Sequence, residues 1–122
     1  MKTISSERQV ADMLKVLGAP FRVRLLLAIG YGEACVCHLE ALLKKRQAYI
    51  SQHLMVLRDK GILETRREGK YMYYRVADPE IFSLIETAAK LLSNPGNTLP
   101  QPAAPGVHDN CPCPTCADQT KE

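Results

Sequence analysis

EACVCHLEALLKKRQAYISQHLMVLRD, Glu33 to Asp59, contains two short helical patterns separated by a basic turn. The first runs from about Ala34 to Leu43, with Val36, Leu39, Leu42 and Leu43 on one apolar face. The second runs from about Gln47 to Asp59, with Ile50, Leu54 and Leu57 at i, i+4 and i+7. Lys44, Lys45 and Arg46 fill the turn. A short helix, a tight polar turn and a second helix with a polar leading end form the pattern of a helix-turn-helix, whose second helix reads the major groove of DNA. The first helix opens on two cysteines, Cys35 and Cys37.

Upstream, Ser6 and Gln9 can form a capping box that starts a helix with Val10, Met13, Leu14 and Leu17 at helical spacing, ended by Gly18. Pro20 suits the first turn of the next helix. Its apolar residues Phe21, Val23, Leu25, Leu26 and Ile29 are too many for one exposed face, which predicts a central helix. Gly30-Tyr31-Gly32 then breaks the chain. Downstream, Gly61 ends the reading helix, and ILETRREGKYMYYRV gives two β-prone runs around Glu68-Gly69, a hairpin with Arg66, Arg67 and Lys70 at its tip. A basic hairpin after a helix-turn-helix predicts a winged helix, mostly α with a β-hairpin wing. Asp78-Pro79 supplies an N-cap and a first-turn proline for a last helix, with Ile81, Leu84, Ile85, Ala88 and Leu91 along one stripe. That stripe can be core or subunit interface; beside an apolar first helix, it is read as a shared homodimer interface.

Residues 1–93 therefore read as the DNA-binding and dimerisation domain, and 94–122 as a flexible tail. Six of the eight prolines lie between Pro95 and Pro114, with almost no aliphatic residues to bury. The tail nonetheless carries Cys111, Cys113 and Cys116. Nothing resembles a signal peptide, and the run Val23 to Ile29 is too short for a membrane span, so a cytoplasmic protein with no membrane partner is expected. Nine Lys or Arg against three acids between Lys44 and Arg75 make that stretch +6 in a chain of net +3, leaving −3 elsewhere. A basic block confined to the reading helix and wing is an electrostatic footprint for phosphate, although an ordinary solvated surface has the same composition.

By periodicity Gln47, Tyr49, Ser51 and Gln52 project from the leading end of the reading helix toward base edges. Lys44, Lys45 and Arg46 are placed to hold phosphate, and Arg67 and Lys70 to reach the DNA backbone or minor groove from the wing. His53 either packs or touches DNA.

Five cysteines, an odd number, argue against a closed disulfide framework and point to metal or redox chemistry. Residues two apart on an ideal helix face opposite sides, so one ion can bind both Cys35 and Cys37 only where the helix begins. A helix N-terminus also favours thiolate over thiol, although Cys37 as a small buried hydrophobe is the plain alternative. Thiolates select soft or borderline ions of the Cd, Pb, Zn, Cu(I) or As(III) class. Two ligands are too few, and the tail is the obvious donor of more. The 18 residues from Ser93 to Cys111 span roughly 25 Å, enough for Cys111, Cys113 or Cys116 to reach the helix of the same or the partner chain. His38 and His108 lie near these thiols and are further candidate ligands. A different reading keeps the DNA-binding fold but has the thiols sense oxidation. Cys113-Pro-Thr-Cys116 has dithiol-enzyme spacing, yet no βαβ pattern surrounds it, so an enzyme is not expected.

Residues from about Glu7 to Leu92 resemble the arsenical-resistance repressor (ArsR/SmtB) family of dimeric winged-helix metal sensors. The resemblance rests on CVCHL at Cys35–Leu39, SQHLMVLRDKGIL at Ser51–Leu63 and RREGKYMYYRV at Arg66–Val76. It implies a homodimeric repressor that leaves its operator DNA when an inducer binds, most like members that sense thiophilic metals through a Cys-x-Cys before the reading helix. Arsenite-sensing members carry a third cysteine where this chain has Glu40, so that three-thiol site does not carry over whole. The zinc site on the last helix of other members needs histidine, and none lies between Asp78 and Leu92.

Overall fold

The computed structural model describes residues 6–92 and Leu99. Five helices and three strands follow in the order α1 (Glu7–Leu17), α2 (Pro20–Ile29), β1 (Glu33–Cys35), α3 (Val36–Leu43), α4 (Gln47–Asp59), β2 (Leu63–Glu68), β3 (Tyr71–Val76) and α5 (Glu80–Leu91). The Ser6 hydroxyl accepts from the Gln9 amide at 3.2 Å and the Gln9 side chain accepts from the Ser6 amide at 2.9 Å, so the expected capping box starts α1. Pro20 occupies the first turn of α2. That helix buries Phe21, Leu25, Leu26, Leu27 and Ile29, which makes it the central one.

The core lies between α2, α3 and α4, where Leu25, Leu26, Ile29, Leu39, Ile50, Leu54 and Leu57 are fully enclosed. The three apolar residues expected on α4 are all at zero exposure, and its bounds match the periodicity. Leu42 departs from expectation: it points outward from α3, while Leu39 and Leu43 face in.

The wing is part of a three-stranded antiparallel sheet in the order β1-β3-β2. Glu68 pairs with Tyr71, leaving a two-residue turn whose first member, Gly69, has φ 61, where such hairpins take a positive φ. The third strand corrects the sequence reading. Ala34 and Cys35 are extended, not helical, because Glu33, Ala34 and Cys35 pair in register with Arg75, Tyr74 and Tyr73. α5 begins one residue later than Asp78-Pro79 suggested, with Pro79 at the cap position and the Asp78 carboxylate accepting from the Glu80 amide at 3.0 Å.

α1 and α5 leave apolar side chains outside the core. Val10 and Leu14 on α1, and Leu84 and Leu91 on α5, are all exposed. An open groove between the two helices is lined by Leu14, Leu17, Val23, Leu84, Ile85 and Ala88. Among the described residues no helix is long and apolar enough to cross a membrane.

Candidate nucleic-acid interface and thiol pair

The turn between α3 and α4 is three residues long. Lys44 closes α3 in the left-handed region (φ 56, ψ 44), its amide donating to the Glu40 carbonyl at 2.9 Å. It is the only non-glycine among the described residues with positive φ. Arg46 is the extended N-cap of α4, and its carbonyl accepts from the Ile50 amide. The first turn of α4 has no acidic residue and no side-chain cap, so its N–H groups and the preceding cations present one positive front to a phosphate. Lys44, Lys45, Arg46, Gln47 and Gln52 are exposed and Ser51 is half-buried.

Tyr49 is more constrained than its periodicity suggested. Its ring packs against Phe21 (centroids 4.9 Å apart) and His53 (4.8 Å), with the Lys45 ammonium 5.8 Å above it. These contacts leave only part of the ring exposed. His53 packs between helices: its Nδ1 accepts from Arg22 Nε at 3.1 Å, and burial, with the Arg22 charge second, lowers its pKa from the usual 6.5.

On the wing, Arg67 and Lys70 are exposed and form no ion pair among the described residues. Lys70 lies 5.6 Å over the Tyr71 ring. Arg66 is engaged instead: its guanidinium bridges Glu33 and Glu68, each at 2.9 Å, and stacks 4.5 Å from the Tyr73 ring centre. The two carboxylates, Glu33 foremost, hold it more firmly protonated. No sequence signal marks the Glu33–Arg66 pairing, because the partners are 33 positions apart.

The same sheet sets the thiols. Cys35 ends β1 and is also the N-cap of α3, with extended backbone (φ −86, ψ 165). The extended cap turns its side chain over the first helical turn, where the sulfur accepts from the His38 amide at 3.4 Å. It also brings Cys35 Sγ within 2.8 Å of Cys37 Sγ, longer than the ~2.05 Å of a disulfide but close enough for one ion to touch both. Residues two apart can meet in this way because Cys35 precedes the first helical residue of α3. Cys35 is buried against Tyr73, with Cys37 and Tyr71 partly buried around them. His38 is buried at 5 % exposure. Among the described residues no three of His, Cys, Asp and Glu are grouped to hold a metal. Cys111, Cys113, Cys116 and His108 lie outside the described residues.

A short helix, a three-residue basic turn, a second helix with a polar outer face and a basic hairpin define a winged helix-turn-helix, the class of DNA-binding transcriptional regulators rather than enzymes. The comparisons agree. The family model for bacterial regulatory proteins of the arsR family matches residues 19–65. A biofilm growth-associated repressor from Agrobacterium fabrum is 42% identical over 91 residues, covering 75% of this chain and 78% of that protein. A cadmium resistance regulatory protein CadC homolog from Staphylococcus aureus is 35% identical over 80 residues, 65% of this chain and 66% of that one. Among solved structures, a homodimeric winged helix-turn-helix DNA-binding domain from Mycobacterium bovis superposes with a TM-score of 0.65 at 26% identity, over 81% of this chain and 99% of that one. The chain belongs to the arsR (ArsR/SmtB) family.

Proposed function

We propose that this regulator is a cytoplasmic homodimeric repressor. It binds operator DNA through α4 and the wing, and leaves when a thiophilic ion of the Cd, Pb, Zn or As(III) class binds Cys35 and Cys37. The observation that carries this reading is the 2.8 Å approach of the two sulfurs at the N-cap of α3, one helix and three residues from α4. Thiolates prefer such ions, and the related CadC homolog is named for cadmium resistance. Two sulfurs need at least one further ligand, and Cys111, Cys113 or Cys116 supplies it. A thiol tethered at that distance has an effective concentration on the order of millimolar. Coordination shifts α3, and a few kcal/mol in favour of the non-binding arrangement reduces operator occupancy a hundredfold.

The exposed apolar residues of α1 and α5 support the homodimer, since contiguous patches of that kind mark subunit contacts. Gln47, Tyr49, Ser51 and Gln52 read bases, while Lys44, Lys45, Arg46, Arg67 and Lys70 hold phosphate.

A second reading has the same observation behind it: two sulfurs this close can instead lose two hydrogens to an oxidant and form a disulfide. Titration of reduced protein with cadmium, following thiolate-to-metal absorbance and operator anisotropy together, separates the two. The ion reading expects a stoichiometric band and release of DNA, both lost in Cys35→Ser and weakened when Cys111, Cys113 and Cys116 are all changed to Ser. Release by a thiol oxidant alone, with no cadmium band, would favour the redox reading.

A further inference from the structure

α4 is held to the core by Ile50, Leu54 and Leu57. Such apolar contacts are strong but non-directional, so they leave the roll of the helix to be set by something with geometry. Arg22, on α2, provides it. Its Nε donates to His53 Nδ1 on α4 at 3.1 Å, and its Nη1 donates to the Val16 carbonyl in the last turn of α1 at 2.9 Å. One rigid guanidinium thus spans three helices, and its planar fork fixes angles as well as distances. The neighbouring rings brace the same joint: Phe21 lies 4.9 Å from Tyr49 and 5.2 Å from His53, and Tyr49 meets His53 edge-on at 4.8 Å.

We infer that Arg22 is a positioning residue for base reading: through His53 it fixes the orientation of α4 relative to α1 and α2, and so sets how well the helix discriminates between DNA sequences. It does so without being a base-reading residue itself. The strut exists only while His53 is neutral. Accepting at Nδ1 requires the lone pair there and the ring proton on Nε2. A second proton on Nδ1 sets donor against donor and cation against cation. Burial first and the Arg22 charge from α2 second favour the neutral ring; Lys45 from the turn lies over the adjoining Tyr49 ring. Acidification should therefore loosen discrimination between sequences, while phosphate-driven binding, which needs no fixed roll, persists.

The test uses the full chain and two duplexes, one selected from a random library by the wild-type protein and one a shuffled version of it. Affinities for both are measured by anisotropy at about pH 7.5 and about pH 5.5, a range that histidine titration covers. Arg22→Gln should lower the selected-to-shuffled affinity ratio about tenfold at the higher pH, roughly the loss of one base contact. Arg22→Lys, which keeps the charge but not the fork, should fall with it. The wild-type ratio should drop on acidification. His53→Gln, whose amide oxygen can accept from Arg22 without titrating, should keep its ratio at both pH values. An unchanged ratio in Arg22→Gln, with only a lower melting midpoint, would reduce Arg22 to a structural role. If Arg22→Gln does not fold, the His53→Gln comparison decides alone: a ratio that still falls with acid as in the wild type overturns the inference.

Discussion

Lys45→Ala tests whether the cations around α4 and on the wing meet phosphate. Lys44, Lys45, Arg46, Arg67 and Lys70 are exposed and unpaired with carboxylates among the described residues. If each neutralises one phosphate, affinity falls with salt on a log–log slope of about −4.5 per protomer, or about −9 for two protomers on one operator. Doubling the salt then weakens binding about 500-fold. Lys45→Ala removes one contact from each protomer, which brings the slope to about −7 and the loss on doubling to about 150-fold. Arg66→Gln, on strand β2 of the wing, is the control. Arg66 is already neutralised by Glu33 and Glu68, so its removal should leave the slope near the wild-type value. Anisotropy titrations at four or so salt concentrations on one duplex give all three slopes. A slope flattened as much by Arg66→Gln as by Lys45→Ala would mean that the ion pairs open on DNA, and the assignment of phosphate contacts from exposed, unpaired charge would fail.

Cys35→Ser should keep the fold, because a hydroxyl can replace the sulfur as acceptor for the His38 amide, whereas Cys35→Ala loses the cap and about 1 kcal/mol in urea unfolding. Leu54→Ala, at a site with zero exposure, should cost about 2–5 kcal/mol by the same measurement. Gly61 has φ 80 and nothing within 4 Å of where a Cβ would stand, so Gly61→Ala should cost only the backbone penalty, about 1 kcal/mol. His53 titrates below its usual 6.5 in the folded chain, so the unfolded chain takes up that proton first as pH falls through 6.5. Stability should decline from there until the native imidazole is protonated too, and His53→Gln should show a shallower fall in urea midpoint over that interval.

The helices were readable because their signals are local: a capping box at Ser6 and Gln9, a proline opening α2, and α4 marked by three leucine-like residues at helical spacing. The hairpin declared itself the same way. What escaped was non-local. β1 is three residues long, too short for alternation to show, and its partners on β3 lie about forty positions on. Arg66 reads locally as one of three tip cations, with Arg67 and Lys70, because its partner Glu33 lies 33 positions away. Arg22 sits among apolar residues as any half-exposed helical arginine does, and nothing in its neighbourhood announces His53, 31 positions later. The thiol pair was an intermediate case. Its location at a helix start followed from spacing, but the extended cap that joins the sulfurs depends on a strand pairing that no local pattern contains.

Strand β1 has a consequence of its own. It delivers Cys35 to the sulfur site and Glu33 to the wing arginine, while Tyr73 lines the first and underlies the second. The hairpin and the thiol pair are thus two rooms with a common partition. Anything that swells one presses on the other, so the wing's tilt and the spacing of the two sulfurs are not separately adjustable quantities.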